Sequence, residues 1–387
     1  MKTFKVPAKI LHEENSIKYL EELKCNKVFI ITDKVMYKLG MTKKVVEILD
    51  KSLIKYEIFD EVQPEPTVEV VTNAIKEFMN SKADTLIAIG GGSVIDTSKA
   101  LIYFIDMLRD KMDDSVSEKP FFIAIPTTSG TGSEVTSYAV ITDSREHKKL
   151  TLKNDIMYPD VAILDAEFTK TVPPSVTADT AMDSLTHALE AFVSNNASDC
   201  TDALAQSAIE NIFEFVMKVY KNGLDILSRE KIQIASCMAG IAFENASLGI
   251  NHSLAHAIGA KFKISHGRAN AILLPYVIEY NCGLFDKNQY NTFETAKKYS
   301  KIANILRLPS SDFKEGVTML IKSIKILNSQ LNIPLTIRDL GIEESVFNES
   351  LDELCERALE DACTLGNPRK ATKQELSDIL KTAYLGY

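Results

Sequence analysis

Short runs of β-branched and aromatic residues alternate with amphipathic stretches over about the first 165 residues, and this alternation constrains the fold more than any other feature. Apolar runs that end in Gly, Asp or Pro are typical of strands buried on both faces of a sheet. They occupy residues 28–31, 56–59, 85–89, 121–125 and 161–164. The pattern predicts a mostly parallel sheet, with helices such as those over 67–80 and 93–108 as crossover connections.

The pattern changes after Pro173-Pro174, where strand-like runs nearly vanish. Helical periods follow over about residues 176–194, 199–220, 229–247 and 251–263. A chain of 387 residues is also longer than one ordinary domain. We therefore predict an α/β domain over residues 1–175 and an all-helical domain over residues 176–387, packed closely across a cleft.

Composition and charge exclude several classes of protein. The formal net charge of -9 is spread along the chain without a basic run, so nucleic acid is not an expected partner. The N-terminus lacks the apolar core of a signal peptide, and no stretch of about 18 apolar residues occurs, so neither secretion nor a membrane span is expected. Six cysteines without a C-x2-C pair fit a reducing cytoplasm, where we expect the protein to reside.

Three consecutive glycines, Gly90-Gly91-Gly92, separate a predicted strand from a helix that opens at Ser93. Glycine lets the backbone approach an anion and a helix N-terminus offers free N–H groups, so this turn is predicted to hold a pyrophosphate. A tight structural turn is the alternative, since neither G-x-G-x-x-G nor the P-loop pattern is present. The segment from Pro126 to Glu134 favours a binding site, because it places five hydroxyls and two glycines at the carboxyl end of another strand.

Asp33 ends an earlier predicted strand. A carboxylate there would accept hydrogen bonds from ribose hydroxyls and repel a 2′-phosphate, which argues for NAD over NADP. The alternative is that Asp33 only caps the next helix.

Four of the six histidines lie between residues 187 and 266 together with a helical aspartate, in a pattern that suits a metal site. Asp183 and His187 are four residues apart, so they share one helix face; His252 and His256 repeat that spacing, and His266 follows. A carboxylate with imidazoles suits Fe(II) or Zn(II) better than Mg(II). Each histidine alone would be explained as a core residue, but the cluster favours a metal. Spacing leaves open whether His252, His256 or both are ligands.

These motifs, in this order, resemble the iron-dependent (group III) alcohol dehydrogenases over nearly the whole chain. The segments that carry the resemblance are Gly90-Gly91-Gly92-Ser93 with Asp96, Pro126 to Glu134, Asp183 to Phe192, Asn251 to Gly259, Ser265 to Ala271, and Asn367-Pro368-Arg369. The resemblance implies an N-terminal nucleotide-binding α/β domain, a helical C-terminal domain, a dehydroquinate synthase-like architecture and a catalytic metal between the two domains.

The resemblance also assigns roles by position. The implied metal ligands are Asp183, His187, His252 and His266. His256 becomes a proton relay near the nicotinamide and not a ligand. The implied cofactors are NAD and Fe(II), with Zn(II) as an alternative ion. The residues predicted to form the cofactor site are Asp33, Gly91, Gly92, Ser93, Asp96, Thr127, Thr128, Thr131, Thr136, Val140, Lys149 and Val176.

Within the family, Thr127 to Glu134 and Val172-Pro173-Pro174 are most similar to the propanol and ethanol dehydrogenases of propanediol and ethanolamine utilisation. This similarity implies an NAD(H)-linked dehydrogenase of short-chain primary alcohols and aldehydes, such as 1-propanol, ethanol or butanol. A 1,3-propanediol or lactaldehyde reductase is the alternative within the family. A lyase like dehydroquinate synthase and a non-catalytic binding protein are the alternatives outside it.

The family also implies a homodimer or larger homo-oligomer that acts on a small molecule, and the branch is compatible with association with a bacterial microcompartment. Residues 109–120 are shorter than the family pattern, which predicts a more open rim of the cleft.

Overall fold

A computed structural model describes residues 3–109, 119–145, 148–283 and 293–386. The chain divides into two compact units between Val172 and Pro173. The domain limits predicted above, 1–175 and 176–387, stay a prediction. Most of the segment 109–120, for which an open rim was predicted, lies outside the described residues.

The first unit is built on a six-stranded sheet in the order β1-β8-β5-β4-β2-β3, and every neighbouring pair in it is parallel. A separate antiparallel pair, β6 and β7, lies outside it. The strands are β1 (Lys9–His12), β2 (Lys27–Asp33), β3 (Lys55–Val62), β4 (Thr85–Gly90), β5 (Phe121–Pro126), β6 (Tyr138–Asp143), β7 (Lys148–Lys153) and β8 (Val161–Leu164). The predicted parallel sheet is confirmed.

Helices cover both faces of this sheet, which is why its strands read as continuous apolar runs. Successive residues of β2 point to opposite faces, so Phe29 joins one buried cluster with Phe78, while Ile30 joins the other with Leu49. The α-helices are α1 (Lys34–Lys38), α2 (Met41–Lys51), α3 (Val68–Ser81) and α4 (Gly92–Arg109). Short 3-10 helices span Ser16–Glu22, Ser133–Val135, Asp155–Met157 and Ala166–Thr169.

Beyond Val172 the described residues form helices and no strand, as predicted. The α-helices are α5 (Pro174–Val193), α6 (Asp199–Lys221), α7 (Ile226–Ala246), α8 (Ile250–Phe262), α9 (His266–Cys282), α10 (Phe293–Ile305), α11 (Phe313–Gln330), α12 (Glu344–Glu360) and α13 (Lys373–Leu385). Two 3-10 helices span Arg338–Leu340 and Ala362–Gly366. Within the described ranges, none of the helices has the length and apolarity needed to cross a bilayer.

Helix α5 is the centre of the second unit, because every residue from Ala181 to Val193 is buried. A helix that is buried on all sides packs against neighbours all round. Its polar residues therefore cannot reach water, and each needs a partner from another helix.

Candidate functional site

The buried polar residues of α5 form one stripe. Asp183, His187 and Glu190 follow one another at intervals of four and three residues, so they lie on one face of the helix. Each of the three residues is less than 5% exposed. Burial of two carboxylates and an imidazole on one helix face is costly unless other groups or an ion compensate them.

Helices α8 and α9 supply the other two predicted ligands. His252 lies in the first turn of α8, and its Nε2 is 3.8 Å from Asp183 Oδ1. His266 begins α9, and its Nε2 is 3.4 Å from the same oxygen. With His187, whose ring stacks on His252 at 4.6 Å between centroids, these residues offer four donor atoms that all lie within 4.8 Å of one another. The structure thus brings the four predicted ligands together.

The side-chain amide of Asn270 contacts three of these four candidate ligand atoms. Its Nδ2 lies 2.7 Å from Asp183 Oδ1, 3.1 Å from His252 Nε2 and 3.2 Å from His266 Nε2. Its Oδ1 accepts a hydrogen bond from Asn251 Nδ2 at 2.9 Å, which holds the amide in this orientation. Lone pairs of a carboxylate and two imidazoles therefore aim at one small volume, as they would around a cation.

Glu190 sets the tautomer of His252. Its carboxylate accepts a short hydrogen bond from His252 Nδ1 and another from the backbone N of Asn251 at 2.8 Å. With Nδ1 protonated, the Nε2 of His252 carries the lone pair that faces the cluster. This carboxylate–histidine arrangement is typical of metal ligands.

The electrostatics also fit a divalent ion. Burial raises the pKa of Asp183 to about 7 and that of Glu190 to about 8, and burial lowers the pKa of His252 well below its usual range. Among the described residues no lysine or arginine pairs with either carboxylate. A bound cation would stabilise both ionised carboxylates and the neutral imidazoles, so these residues fit Fe(II) or Zn(II).

A glycine at the start of α9 allows the close approach of its first turn to α5. A Cβ at Gly267 would lie 2.0 Å from the backbone oxygen of Asp179 and 3.3 Å from the Cβ of Asp183. Next to it, Ser265 and Arg268 both donate hydrogen bonds to the Asp179 carboxylate. These contacts place His266 beside Asp183.

The segment Asn367-Pro368-Arg369, singled out in the sequence, fastens the start of α8. Asn367 Oδ1 accepts from the backbone N of Ile250 at 3.3 Å, and its Nδ2 donates to Asn281 Oδ1 at 2.8 Å. Its backbone O accepts from Asn195 Nδ2 at 2.5 Å. Through its side chain and its backbone oxygen, Asn367 thus ties together the ends of α5, α8 and α9, and thereby positions His252.

His256 lies outside the four-residue cluster. Its Nδ1 is 2.7 Å from Asp361 Oδ2, and its ring stacks on that of His266 at 5.1 Å between centroids. The structure therefore places His256 beside a ligand and in contact with a different carboxylate.

In the first unit, the predicted phosphate turn packs against the neighbouring loop. Thr127 N donates to Gly90 O at 3.0 Å, a Cβ at Gly91 would lie 3.2 Å from Thr128 Oγ1, and a Cβ at Gly92 would lie 2.9 Å from Thr131 Cγ2. Gly91, Gly92, Thr127, Thr128 and Thr131 are thus brought together at the carboxyl ends of β4 and β5, with Ser93 in the first turn of α4.

Other predicted cofactor residues form a buried polar layer around Lys99. Asp96 accepts from Ser133 Oγ at 2.7 Å and from Val140 N at 3.0 Å. The fully buried ammonium of Lys99 donates to Ser133 Oγ, Thr136 Oγ1 and Tyr138 O, each at 2.9 Å. Asp96, Thr136 and Val140 therefore stabilise the loop from Pro126 to Glu134 through a hydrogen-bond network that includes Ser133 and Lys99.

The three remaining predicted cofactor residues, Asp33, Lys149 and Val176, have other surroundings. Asp33 caps α1 through Oδ1, which accepts from Val35 N and Met36 N, so the capping interpretation holds; Oδ2 accepts no hydrogen bond from the described residues. Lys149 lies in β7 and pairs with Glu65 at 3.1 Å. Val176 lies in α5 of the second unit and is 39% exposed.

Sequence reasoning missed Lys99, Glu190, Asn270 and Asp361 as parts of these sites. Lys99 had a readable signal, since it lies three residues after Asp96 at the start of a long apolar stretch of the same helix. Glu190 follows His187 by one helical turn. Asn270 follows His266 by one helical turn, but its contact with Asp183 spans 87 residues, and the contact of Asp361 with His256 spans 105 residues, so neither long-range contact has a local signal.

Two family models together match most of this chain. Residues 177–384 match the C-terminal region of the Fe-containing alcohol dehydrogenase family, and residues 7–166 match the iron-containing alcohol dehydrogenase family.

Three curated relatives align with essentially all of this chain. An aldehyde-alcohol dehydrogenase of Streptococcus pneumoniae serotype 2 is 42% identical over 100% of this chain and 46% of its own length, so this chain spans about half of that relative. The NADPH-dependent butanol dehydrogenase of Clostridium saccharobutylicum is 39% identical over 100% of this chain and 99% of its own. The 1-propanol dehydrogenase PduQ of Citrobacter freundii is 34% identical over 98% of this chain and 99% of its own.

A solved structure has the same fold. The iron-containing alcohol dehydrogenase of Thermococcus thioreducens superposes with a TM-score of 0.89 at 30% identity, covering 100% of both chains. The predicted dehydroquinate synthase-like architecture is thereby confirmed, and this chain belongs to the iron-containing alcohol dehydrogenase family.

Proposed function

We propose that this protein is a metal-dependent, NAD(H)-linked alcohol dehydrogenase and aldehyde reductase for short-chain primary alcohols. The observation that carries the proposal is the convergence of Asp183, His187, His252 and His266, four donor atoms within 4.8 Å of one another, in the part of the chain that matches the family. The butanol and propanol relatives support the substrate class.

The four clustered side chains would hold Fe(II) or Zn(II), which would supply a Lewis acid that favours the alkoxide of an alcohol and polarises an aldehyde carbonyl. Glu190 keeps the Nε2 of His252 directed at the cluster. Asp361 holds Nδ1 of His256, which leaves its Nε2 as the atom that exchanges the alcohol proton with solvent. Asn270, through its contact with Asp183, keeps the carboxylate oriented.

The first unit would bind the dinucleotide, which accepts or supplies the hydride. Gly91 and Gly92 let the pyrophosphate approach the backbone at the N-terminus of α4, and Thr127, Thr128 and Thr131 line the adjoining loop. Asp33 Oδ2 would accept a hydrogen bond from the ribose and disfavour a 2′-phosphate. One relative is NADPH-dependent, so both dinucleotides belong in the test.

We also propose that the protein is a cytoplasmic homo-oligomer. The six free cysteines support a reducing compartment. The likeness to the propanol dehydrogenase PduQ supports a test for microcompartment association.

The test is anaerobic oxidation of NADH or NADPH with propanal and butanal. It uses metal-stripped protein before and after addition of Fe(II) or Zn(II). Turnover should appear only with metal, should be faster with NADH, and should be lost in His266→Ala but kept in the matched control His12→Ala. Absence of turnover with both aldehydes and both metals, while NADH still binds, would refute the proposal.

A further inference from the structure

Three side chains of different chemistry converge beside the ligand cluster. His256, Asp361 and Cys363 each offer a donor atom, and these three atoms lie within 4.8 Å of one another. Donors that share one zinc ion are separated by at most about 4.3 Å, because Zn–N and Zn–S bonds are about 2.0 and 2.3 Å long. The three atoms are therefore already close to the spacing that one ion requires.

The fold holds these donors in place through two hydrogen-bonded elements. Asp361 caps the 3-10 helix that follows it, since Oδ1 accepts from Cys363 N at 2.8 Å, while Oδ2 contacts His256 Nδ1 at 2.7 Å. The same turn is fastened to α8, because Thr364 Oγ1 donates to Ser253 Oγ at 2.8 Å. Little backbone movement is needed for the three side chains to share a ligand.

The charges also suit a cation. Burial alone would raise the pKa of Asp361, but the hydrogen bond and positive charge from His256 lower it to about 2, so the carboxylate is ionised at neutral pH. Burial raises the pKa of the Cys363 thiol, which also hydrogen-bonds to Asp361. Asp361 thus accepts hydrogen bonds from His256 Nδ1 and from the Cys363 thiol, and one metal ion could replace both hydrogens.

We propose that His256, Asp361 and Cys363 form a second binding site for a zinc-class divalent cation, separate from the four-residue cluster. Binding forms bonds from the ion to Nδ1, a carboxylate oxygen and Sγ; the thiol proton is released to solvent, and the His256 proton passes from Nδ1 to Nε2, so that the imidazole stays neutral. The His256 and Asp361 side chains are 36% and 20% exposed, which gives an ion access and leaves room for water as a further ligand. Thiolate and imidazole donors select Zn(II) or Co(II) over Mg(II).

Occupation of this site would engage His256, the proton-exchanging residue of the proposed function. Inhibition of turnover by excess Zn(II) is therefore expected, but that consequence rests on the proposed function. Binding itself does not.

The experiment is a titration of the metal-stripped full chain with Co(II), followed by near-ultraviolet absorption. The four-residue cluster contains no sulfur, so the first equivalent should give no thiolate-to-cobalt charge-transfer band. The second equivalent should give that band. It should disappear in Cys363→Ser, and the binding stoichiometry should fall from two to one, whereas the exposed control Cys200→Ser should keep both.

Retention of the first Co(II) equivalent in Cys363→Ser shows that the variant is folded, and Cys363→Ala serves as a second variant if it is not. Absence of a thiolate band at excess Co(II), or its persistence in either Cys363 variant, would overturn the second site. A thiolate band with no effect of Zn(II) on turnover would leave the second site standing and would instead contradict the role of His256 in the proposed function.

Discussion

The two units of this protein bury charge in opposite ways. In the α/β unit, the carboxylate of Asp96 and the ammonium of Lys99 are buried together and linked through the hydroxyl of Ser133. The lysine lowers the pKa of Asp96 against the larger effect of burial, which raises it. In the helical unit, Asp183 and Glu190 are buried among imidazoles and amides, and no described lysine or arginine pairs with them.

This difference suggests a structural role for the buried charges of the α/β unit and a cation-binding role for those of the helical unit. A buried carboxylate with its own ammonium is compensated by the chain alone, and it holds a loop in position. Buried carboxylates that lack such a partner are compensated only by protons or by an added cation. We therefore expect substitutions at Asp183 to act on metal binding, and substitutions at Lys99 to act on stability.

The largest effect on metal affinity is expected for Asp183→Asn. The amide keeps the shape but removes the ligand charge, so affinity for the metal should fall by more than the 10- to 100-fold (about 1.4 to 2.7 kcal/mol) typical of outer-shell changes. Competition with a chelator, with metal content measured afterwards, gives the number. Asp96→Asn is the matched control and should bind metal as the parent does; equal losses in both would break the contrast between the two units.

Lys99→Met tests the other half of the contrast. Removal of the ammonium leaves a buried charge without a partner, so the free energy of unfolding should fall by about 3–5 kcal/mol. Denaturant titration measures it. The double variant Lys99→Met with Asp96→Asn should recover a substantial part of the loss, since the remaining charge is also removed. No recovery would show that Lys99 acts through its hydrogen bonds alone.

Two glycine substitutions sharpen the comparison further. Gly267→Ala drives a Cβ against the backbone oxygen of Asp179 at 2.0 Å, so we expect a loss of about 2–3 kcal/mol in stability and weaker metal binding.

In Gly92→Ala, the new Cβ meets only the side chain of Thr131, at 2.9 Å. It should weaken dinucleotide binding, measured by calorimetry, without changing metal content. Weaker metal binding in Gly92→Ala would contradict this division.

Glu134→Gln tests a buried carboxyl of the α/β unit by pH. Burial raises the pKa of Glu134 to about 7 from its usual value of 4.5, so the folded state holds its proton more tightly than the unfolded state. Stability from this group is present below about pH 4.5 and is lost as the pH rises to about 7. The variant should therefore gain about 1–2 kcal/mol over the parent at pH 8, less than the pKa shift alone implies because the amide needs new partners. Denaturation curves at pH 5 and pH 8 decide it, and a gain independent of pH would argue against a buried neutral carboxyl.

The smallest effect is expected for Asp33→Asn. Asparagine is as good a helix cap as aspartate, so the unfolding free energy should change by less than about 0.5 kcal/mol. Loss of the charge should raise the ratio of NADPH to NADH turnover. An unchanged ratio would leave Asp33 as a cap only.

The sequence predicts the parallel sheet well because strands buried on both faces must be apolar throughout, as in β4 and β5. It misses β1, a four-residue edge strand with no buried residue, and the antiparallel pair of β6 and β7, whose strands are polar on one side.

The cluster of histidines could be predicted from the sequence because histidine is rare in apolar helices. The choice between His252 and His256 was not readable from spacing, since both lie on α8 and only the distant Glu190 and Asp361 distinguish them.

The Asn367 contacts carry a consequence for synthesis of the chain. The hydrogen bond from Ile250 N to Asn367 Oδ1 spans 117 residues, and the bonds to Asn195 and Asn281 span 172 and 86. A ribosome that has just finished α8 has made His187 and His252 of the cluster, but not Asn367, which fixes the start of that helix. Contacts of such long sequence separation form late. We therefore expect the four clustered side chains to reach this arrangement only after Asn367 has emerged, so that fragments ending before it would not hold a metal in the same geometry.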